Sequence, residues 1–530
     1  MYRILSCSKD AYITSKYVAG TRSLNANTGQ AGTIDLFKLY GETKVLSGST
    51  VLNDQIELTR GFLKFDISPL TNLTGSVINF NNSSLQVLLS MKDVYGGQTT
   101  PSNFTVVAMP LSKSWDEGRG KDVVAYRDRD SVNWLTASLV GGVSEWNVTG
   151  ANGKGLLGSA DIDVITSGNL GTGVVETTAS FTFARGDEDM LMDVTTIVSA
   201  TVAGILPDQG LRISFSEAEE TDTTTRFVKR FGAQQARTKA LRPTLIVKYD
   251  DALRDDTAIA TFGSTANNLF LYNSPNGIFQ NFVLAGTEVS GSDCLTLQLV
   301  ARRWVTYWTS SYSTSHSASI NHLTRSISQF SQDFSGSSAL IGYLPQAGYY
   351  SASVVLDPTA NSELNAFLSG AQEMDFIPYW KSSDSSYVFA TGSAITFSRG
   401  TAGISSLPSQ NIVVNMYNLQ DFYTTDQVAR LRVFVQDYSS LSTPSRYSRD
   451  PKPAVKKNMF WRLVDGITKE VLIPFDDVGT RTSYDGQGNY FDFWMKDLPP
   501  NQVYEFEFMI RENGRDTVIQ NNGFIFKVRP

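Results

Sequence analysis

Arg60-Gly61-Phe62-Leu63-Lys64-Phe65-Asp66-Ile67 is a strand-like run in the first quarter of the chain, and its reading decides the fold. Downstream stand Trp115, Trp134 and Trp146, then Asp193-Val194-Thr195. The segment closes on Arg242-Pro243-Thr244-Leu245-Ile246-Val247-Lys248-Tyr249. Strands of this kind build a sandwich that holds something, and nothing in them suits turnover. The expected role is structural.

Period-two patterns continue outward from that run. Leu85, Val87, Leu88 and Leu89 form a buried-strand run broken only by Gln86, and Phe181-Thr182-Phe183 and Leu211-Arg212-Ile213-Ser214-Phe215 alternate cleanly. Between the last two lies one helical segment. Asp193 is placed to cap it, and Gly204 or Pro207 to end it. After Tyr249 the charged run Asp250–Asp256 reads as a solvated linker. Residues 250–408 then form a β-rich middle domain of no nameable type. Strands are expected there at Leu295–Val300, Tyr350–Leu356 and Ala394–Phe397, with a short helix at Glu363–Leu368 behind Asn361 and Ser362. Thr309–Ser319 reads as a long loop or a partner-facing surface. Residues 409–530 give the clearest sandwich, with Ile412/Val414/Met416, Leu431/Val433/Val435, Tyr504/Phe506/Phe508/Ile510 and Phe524/Phe526/Val528 each turned inward. The fold class is therefore all-β and multi-domain, with antiparallel sandwiches over 1–249 and 409–530 and the β-rich domain of unknown type over 250–408.

Charged residues make up 18% of the 530, below the roughly 25% of an average soluble protein. Small polar residues must carry much of the surface, as in β domains. A net charge of −7 argues against a nucleic-acid surface. Cys7 and Cys294 are the only cysteines, which excludes a disulfide scaffold. No apolar run is long enough to span a bilayer. Met1-Tyr2-Arg3-Ile4-Leu5-Ser6 leads into Ala11-Tyr12-Ile13 with no h-region and no cleavage site, so synthesis without a signal peptide is expected.

Asp10 with Tyr12, the Arg60–Ile67 run, Ser114-Trp115-Asp116-Glu117-Gly118, Asn133-Trp134, Gly141-Gly142, Asp193-Val194-Thr195 and the closing Arg242–Tyr249 stand in an order that resembles the DNRLRE type of β-sandwich. That type is a jelly-roll relative of carbohydrate-binding modules. Leu498-Pro499-Pro500-Asn501-Gln502-Val503-Tyr504 resembles the tyrosine-corner approach of immunoglobulin and fibronectin-type domains. Together with Ile473-Pro474-Phe475-Asp476, Thr482–Asp485 and Gly488–Phe491, it makes the last domain similar to immunoglobulin-like modules that end structural proteins of tailed bacteriophages, particularly large myoviruses. The resemblance implies a virion protein of the neck, collar, tail or baseplate. Such a protein is made in host cytoplasm and released by lysis, so it needs neither signal nor disulfide. Other virion proteins and a symmetric homo-oligomer are the implied partners. The alternative is a glycan-binding module or adhesin that contacts the host surface.

Catalytic chemistry is sparse. His316 and His322 are the only histidines, too few for a serine triad and too widely set for zinc. Gly153-Lys154-Gly155-Leu156-Leu157-Gly158 fits a dinucleotide pattern, but no helix is expected after it, and it reads as a loop. No enzyme activity and no cofactor are expected. Asp187-Glu188-Asp189, Glu217/Glu219/Glu220/Asp222 and Asp161/Asp163 are either structural calcium ligands or a solvated acidic edge. Trp115, Trp134 and Trp146 are core plugs or a glycan platform. Trp304 and Trp308, beside Arg302-Arg303 and Tyr307, are a packed strand end or a protein contact.

Overall fold

The computed structural model describes residues 1–47, 50–71, 84–128, 130–139, 142–171, 173–313, 316–336, 347–399, 412–437, 453–512, 514–520 and 523–530. Gly141 and the expected boundary at 408/409 lie outside them. The described chain is all-β, with many antiparallel sheets and only short helices. It divides between Tyr249 and Asp250 into two compact units, Met1 counting with the second.

In the first unit, strands β1 (Tyr2–Thr14), β2 (Thr33–Tyr40), β3 (Ile56–Phe65), β4 (Gln86–Met91), β5 (Phe104–Pro110), β6 (Ala179–Phe183), β7 (Met190–Asp193), β8 (Leu211–Phe215), β9 (Arg226–Gly232) and β10 (Thr244–Lys248) build the sandwich. β1 belongs to both layers. Tyr2–Ser6 pair with β10, the register shifts between Cys7 and Lys9, and Lys9–Thr14 pair with β3. A bulge of this kind bends a strand and lets one chain serve two sheets. The layers run β7-β4-β10-β1 and β6-β5-β8-β3-β1. One parity fills the space between them. Leu63, Phe104, Val106, Ala108, Ile213 and Phe215 come from one sheet, Val87, Leu89, Met91, Leu245 and Val247 from the other, all at most 5% exposed.

The opposite parity is not solvated. Arg60, Phe62, Val107, Met109, Arg212 and Ser214 are also buried, beneath residues 112–177, which leave the sandwich after β5 and carry the three tryptophans. The polar half of the alternation in β8 therefore faces protein.

Helix α1 (Thr195–Val202) starts where Asp193 accepts the Thr195 N–H at 2.9 Å, and Gly204 follows it at φ +73°. A second helix, α2 (Glu217–Thr221), was not expected. Its signal was the Ser216-x-x-Glu219 box, in which the Glu219 carboxylate accepts the Ser216 N–H at 3.2 Å and its hydroxyl at 2.7 Å.

In the second unit, β11 (Asn267–Tyr272), β12 (Leu295–Ser313), β13 (His316–Gly336), β14 (Tyr349–Val354), β15 (Glu373–Ser382) and β16 (Ile395–Arg399) surround a core of Leu297, Leu299, Tyr350, Val354, Phe376 and Phe397. Helix α3 (Ser362–Leu368) begins as its caps predict, with Asn361 accepting the Leu364 N–H at 3.0 Å. Thr309–Ser319 is not a long loop. Its described residues continue β12 and β13, which pair from Leu295↔Gly336 to Ser313↔His316.

The last sandwich packs β17 (Ile412–Met416), β19 (Val428–Asp437), β23 (Gly488–Trp494) and β22 (Ser483–Asp485) against a second sheet. That sheet contains β18 (Phe422–Thr424), β25 (Ile525–Arg529), β24 (Val503–Glu512), β20 (Met459–Asp465) and β21 (Val471–Ile473). β18 runs parallel to β25 and all other neighbours run antiparallel, an immunoglobulin-like arrangement. Trp461, 2% exposed, stacks on Phe491 at 5.1 Å and meets Phe493 and Phe506 edge-on. The tyrosine corner forms as expected: fully buried Tyr504 donates its hydroxyl to the Pro499 carbonyl at 2.6 Å. Tyr504→Phe removes that donor and keeps the ring, so equilibrium denaturation should show a loss of about 1–2 kcal/mol. No measurable loss would mean that the corner adds nothing to stability.

Candidate functional site

The face of β1, β3, β5 and β8 covered by residues 112–177 collects the chemistry-bearing residues of the first unit. The three tryptophans meet there as interior groups. Trp115 is 1% exposed, donates its indole N–H to the Gln209 carbonyl at 2.9 Å, and lies under the Lys9 ammonium at 4.4 Å. Trp146, 5% exposed, stacks on Phe62 at 5.5 Å and donates to the Asn133 carbonyl at 2.9 Å. Trp134, 9% exposed, sits under the Arg60 guanidinium at 5.1 Å. Of the two expectations for Trp115, Trp134 and Trp146, their burial fits core plugs, with only the edge of Trp134 reaching the rim of the covering segment.

Two buried guanidinium groups fasten the covering segment to the sheet. Arg60 forms a two-point pair with Glu220 at 2.9 and 2.6 Å and donates to the Gly150 carbonyl at 2.6 Å. Arg212 donates to the next carbonyl, Ala151, at 2.7 Å, and also reaches Asn152 Oδ1 and Ser214 Oγ, each at 3.3 Å. Burial, with Arg60 beside it, lowers Arg212 to about 9. Gly150 has φ +75°, and a Cβ there would lie 2.6 Å from the Trp134 ring and 2.7 Å from the Arg60 guanidinium. The close approach admits only glycine. At the rim a cleft of about 290 Å³ is lined by Arg22, Arg60, Trp134, Lys154, Glu217 and Glu220 among others. Four of these five charges are matched in pairs, Arg60 with Glu220 and Lys154 with Glu217 at 3.0 Å, while Arg22 donates to the Ser15 and Ile56 carbonyls at 3.2 Å.

Asp187 and Asp189 lie on an exposed edge, paired with Arg185 at 3.3 Å and Lys92 at 2.8 Å, and buried ammonium groups sit beside the first two clusters. The ammonium of fully buried Lys229 sits on Asp93 Oδ1 at 2.6 Å and on the carbonyls of Gly186 and Glu188 at 2.8 Å. Fully buried Lys38 sits on Asp222 and on the Thr224 carbonyl at 2.8 Å. Asp163 accepts the N–H groups of Asn147, Val148 and Gly153 at 2.7–2.9 Å. The pockets of Lys229 and Lys38 thus combine the carboxylate and carbonyl oxygens that suit calcium, with an ammonium among them. Among the described residues no group of three metal-ligating side chains forms a metal site. Lys229→Met leaves the Asp93 carboxylate without its cation, and should cost about 3–5 kcal/mol by urea denaturation. Calcium or a chelator should leave the parent midpoint unchanged; a calcium-dependent midpoint would show that the ammonium does not fill the role.

Two stretches from the sequence resemblance also meet. The Asp10 backbone N–H donates to Glu117 Oε1 at 2.9 Å, and Asp10 Oδ2 accepts the Gln234 N–H at 2.6 Å. Burial pushes the 1%-exposed Asp10 carboxyl up to about 7, against the lowering effect of the Gln234 N–H, with the Glu117 charge adding to the rise. Burial also raises Glu117. An unfolded Asp titrates near about 3.9. The contribution of Asp10 to stability is therefore whole below that pH and is lost as pH rises through about 7. Asp10→Asn keeps an oxygen for Gln234 and should flatten this decline, making the variant more stable than the parent at pH 8 but not at pH 4. Parallel pH–stability curves would refute the assignment.

Trp304 and Trp308 belong to the other unit, on β12, opposite Ile327 and Leu323 in the ladder. His316 and His322 lie on β13, opposite Ser313 and Thr309. Six strand residues separate them by about 20 Å, too far to share a metal ion. Lys154–Leu156 is a short strand parallel to Val164–Asn169, rather than loop, and no helix follows it. The residues missed in the sequence were Arg60, Arg212, Lys38 and Lys229. A charged residue at an alternating strand position looks solvent-facing until the covering segment is known. No described helix is long and apolar enough to cross a membrane.

No protein-family model matches the sequence, and no curated protein matches it. Among solved structures, Escherichia coli alpha-2-macroglobulin activated by porcine elastase aligns over 100% of this chain and 44% of its own length, at 8% identity and a TM-score of 0.16. A Salmonella alpha-2-macroglobulin mutant aligns over 99% and 28%, at 9% identity and 0.12. The chain thus spans less than half of either protein, at scores that carry no argument about fold or function.

Proposed function

We propose that this chain is a structural component of a tailed-phage virion, in the neck, collar, tail or baseplate, and that it works by protein–protein assembly. The carrying observation is the β12–β13 hairpin. β15 pairs with β12 only from Leu295 to Val300, whereas the ladder with β13 continues to Ser313. Among the described residues the outer part has two strands only. An isolated two-stranded ladder is marginal in water, and its edges present unpaired N–H and C=O groups. A neighbouring subunit would supply the missing support. Filled sandwich cores on either side of Asp250 suit a rigid part, and the sequence resemblance of the last domain points to the same class. Its partners are other virion proteins and further copies of itself around a symmetry axis, and its location is the particle.

Mass spectrometry of purified phage particles should find the chain at a copy number set by the particle's symmetry. Particles that contain none of it would reject the proposal.

A further inference from the structure

We infer that the outer part of the β12–β13 hairpin is a docking arm whose partner is the acidic body of a second copy of this chain. The inference rests on the assembly reading and names the contact that reading needs. Thirteen residues of β12, 301–313, run beyond the last pairing with β15, about 40 Å of strand, of which Ala301 is still buried in the core and Arg303 lies over the Phe367 ring at 5.2 Å.

Two features of the sequence on this arm point to a protein partner of opposite charge. No acidic residue lies between Asp293 and Asp333, although the chain has 52; Arg302, Arg303 and Arg325 all fall in that stretch. The chain's acidic charge therefore lies wholly outside the arm, and arm-to-arm contact would bring like charges together. The second feature is the lack of edge protection. No Pro or Lys occurs from Leu295 to Ser335, the residues that most often blunt a free edge, so along the outer part only the arginines interrupt it. In the backbone register Trp304 pairs with Ile327 and Trp308 with Leu323. Arm onto body is a head-to-tail contact, and such contacts close into rings when the rotation allows.

The test uses the full chain. In one variant, residues 307–324 are replaced by Asn-Gly, a two-residue hairpin turn, leaving the paired Thr306 and Arg325 beside it. A second variant carries Arg302→Glu and Arg325→Glu on an intact arm. Analytical ultracentrifugation across protein and salt concentrations should show the parent in discrete oligomers that weaken as salt rises. The shortened variant should be monomeric with an unchanged thermal midpoint, and the charge-reversed variant should need roughly tenfold more protein to assemble. A shortened chain that assembles like the parent would overturn the arm's role and leave the assembly reading intact. A parent that stays monomeric but binds single-stranded DNA through the arm would overturn it in favour of a nucleic-acid partner. Incorporation into particles, measured separately, decides the assembly reading itself.

Discussion

The first unit depends on one sheet being buried on both faces. A sandwich of two layers normally leaves its outer faces to water, and strands announce this by alternating apolar and polar residues. Here the outer positions of β3 and β8 carry Arg60 and Arg212, each at most 3% exposed. A guanidinium group in such a place must find acceptors for its donors. Glu220 on α2 supplies two, and the carbonyls of Gly150 and Ala151 supply others. Those carbonyls belong to the segment that covers the sheet, so the groups that need burial partners and the segment that buries them specify one another. Trp115, Trp134 and Trp146 then complete an apolar layer around the two charges.

The same economy governs the acidic clusters. Carboxylates drawn inward around backbone carbonyls need a cation, and Lys38 and Lys229 reach them with long side chains from β2 and β9. An ammonium carried by the chain arrives with folding itself and needs no ion from solution. The three acceptors of Lys229 match its three N–H donors.

The hairpin stands at the other extreme. Its base is woven into a filled core, with Phe330 against Phe367 and Phe376. Among the described residues its outer ladder pairs only its own two strands. Among the described residues the first unit thus holds a sheet covered on both faces, and the second a ladder with no third strand along its outer part.

Much was legible in the sequence because it depends on short-range physics. Period-two runs gave the strands of the last sandwich, Asn361 gave the start of α3, and Leu498–Tyr504 gave the tyrosine corner, since alternation, capping and corner bonds join residues close along the chain. The burial of Arg60 and Arg212, the pairing of Lys38 with Asp222 and of Lys229 with Asp93, and the length of β12 and β13 were decided only by tertiary structure. Glu220 is 160 positions from Arg60, and Asp93 is 136 from Lys229. Charge and spacing along a chain cannot say which distant segment will exclude water from them, and it is the exclusion of water that makes such pairs form.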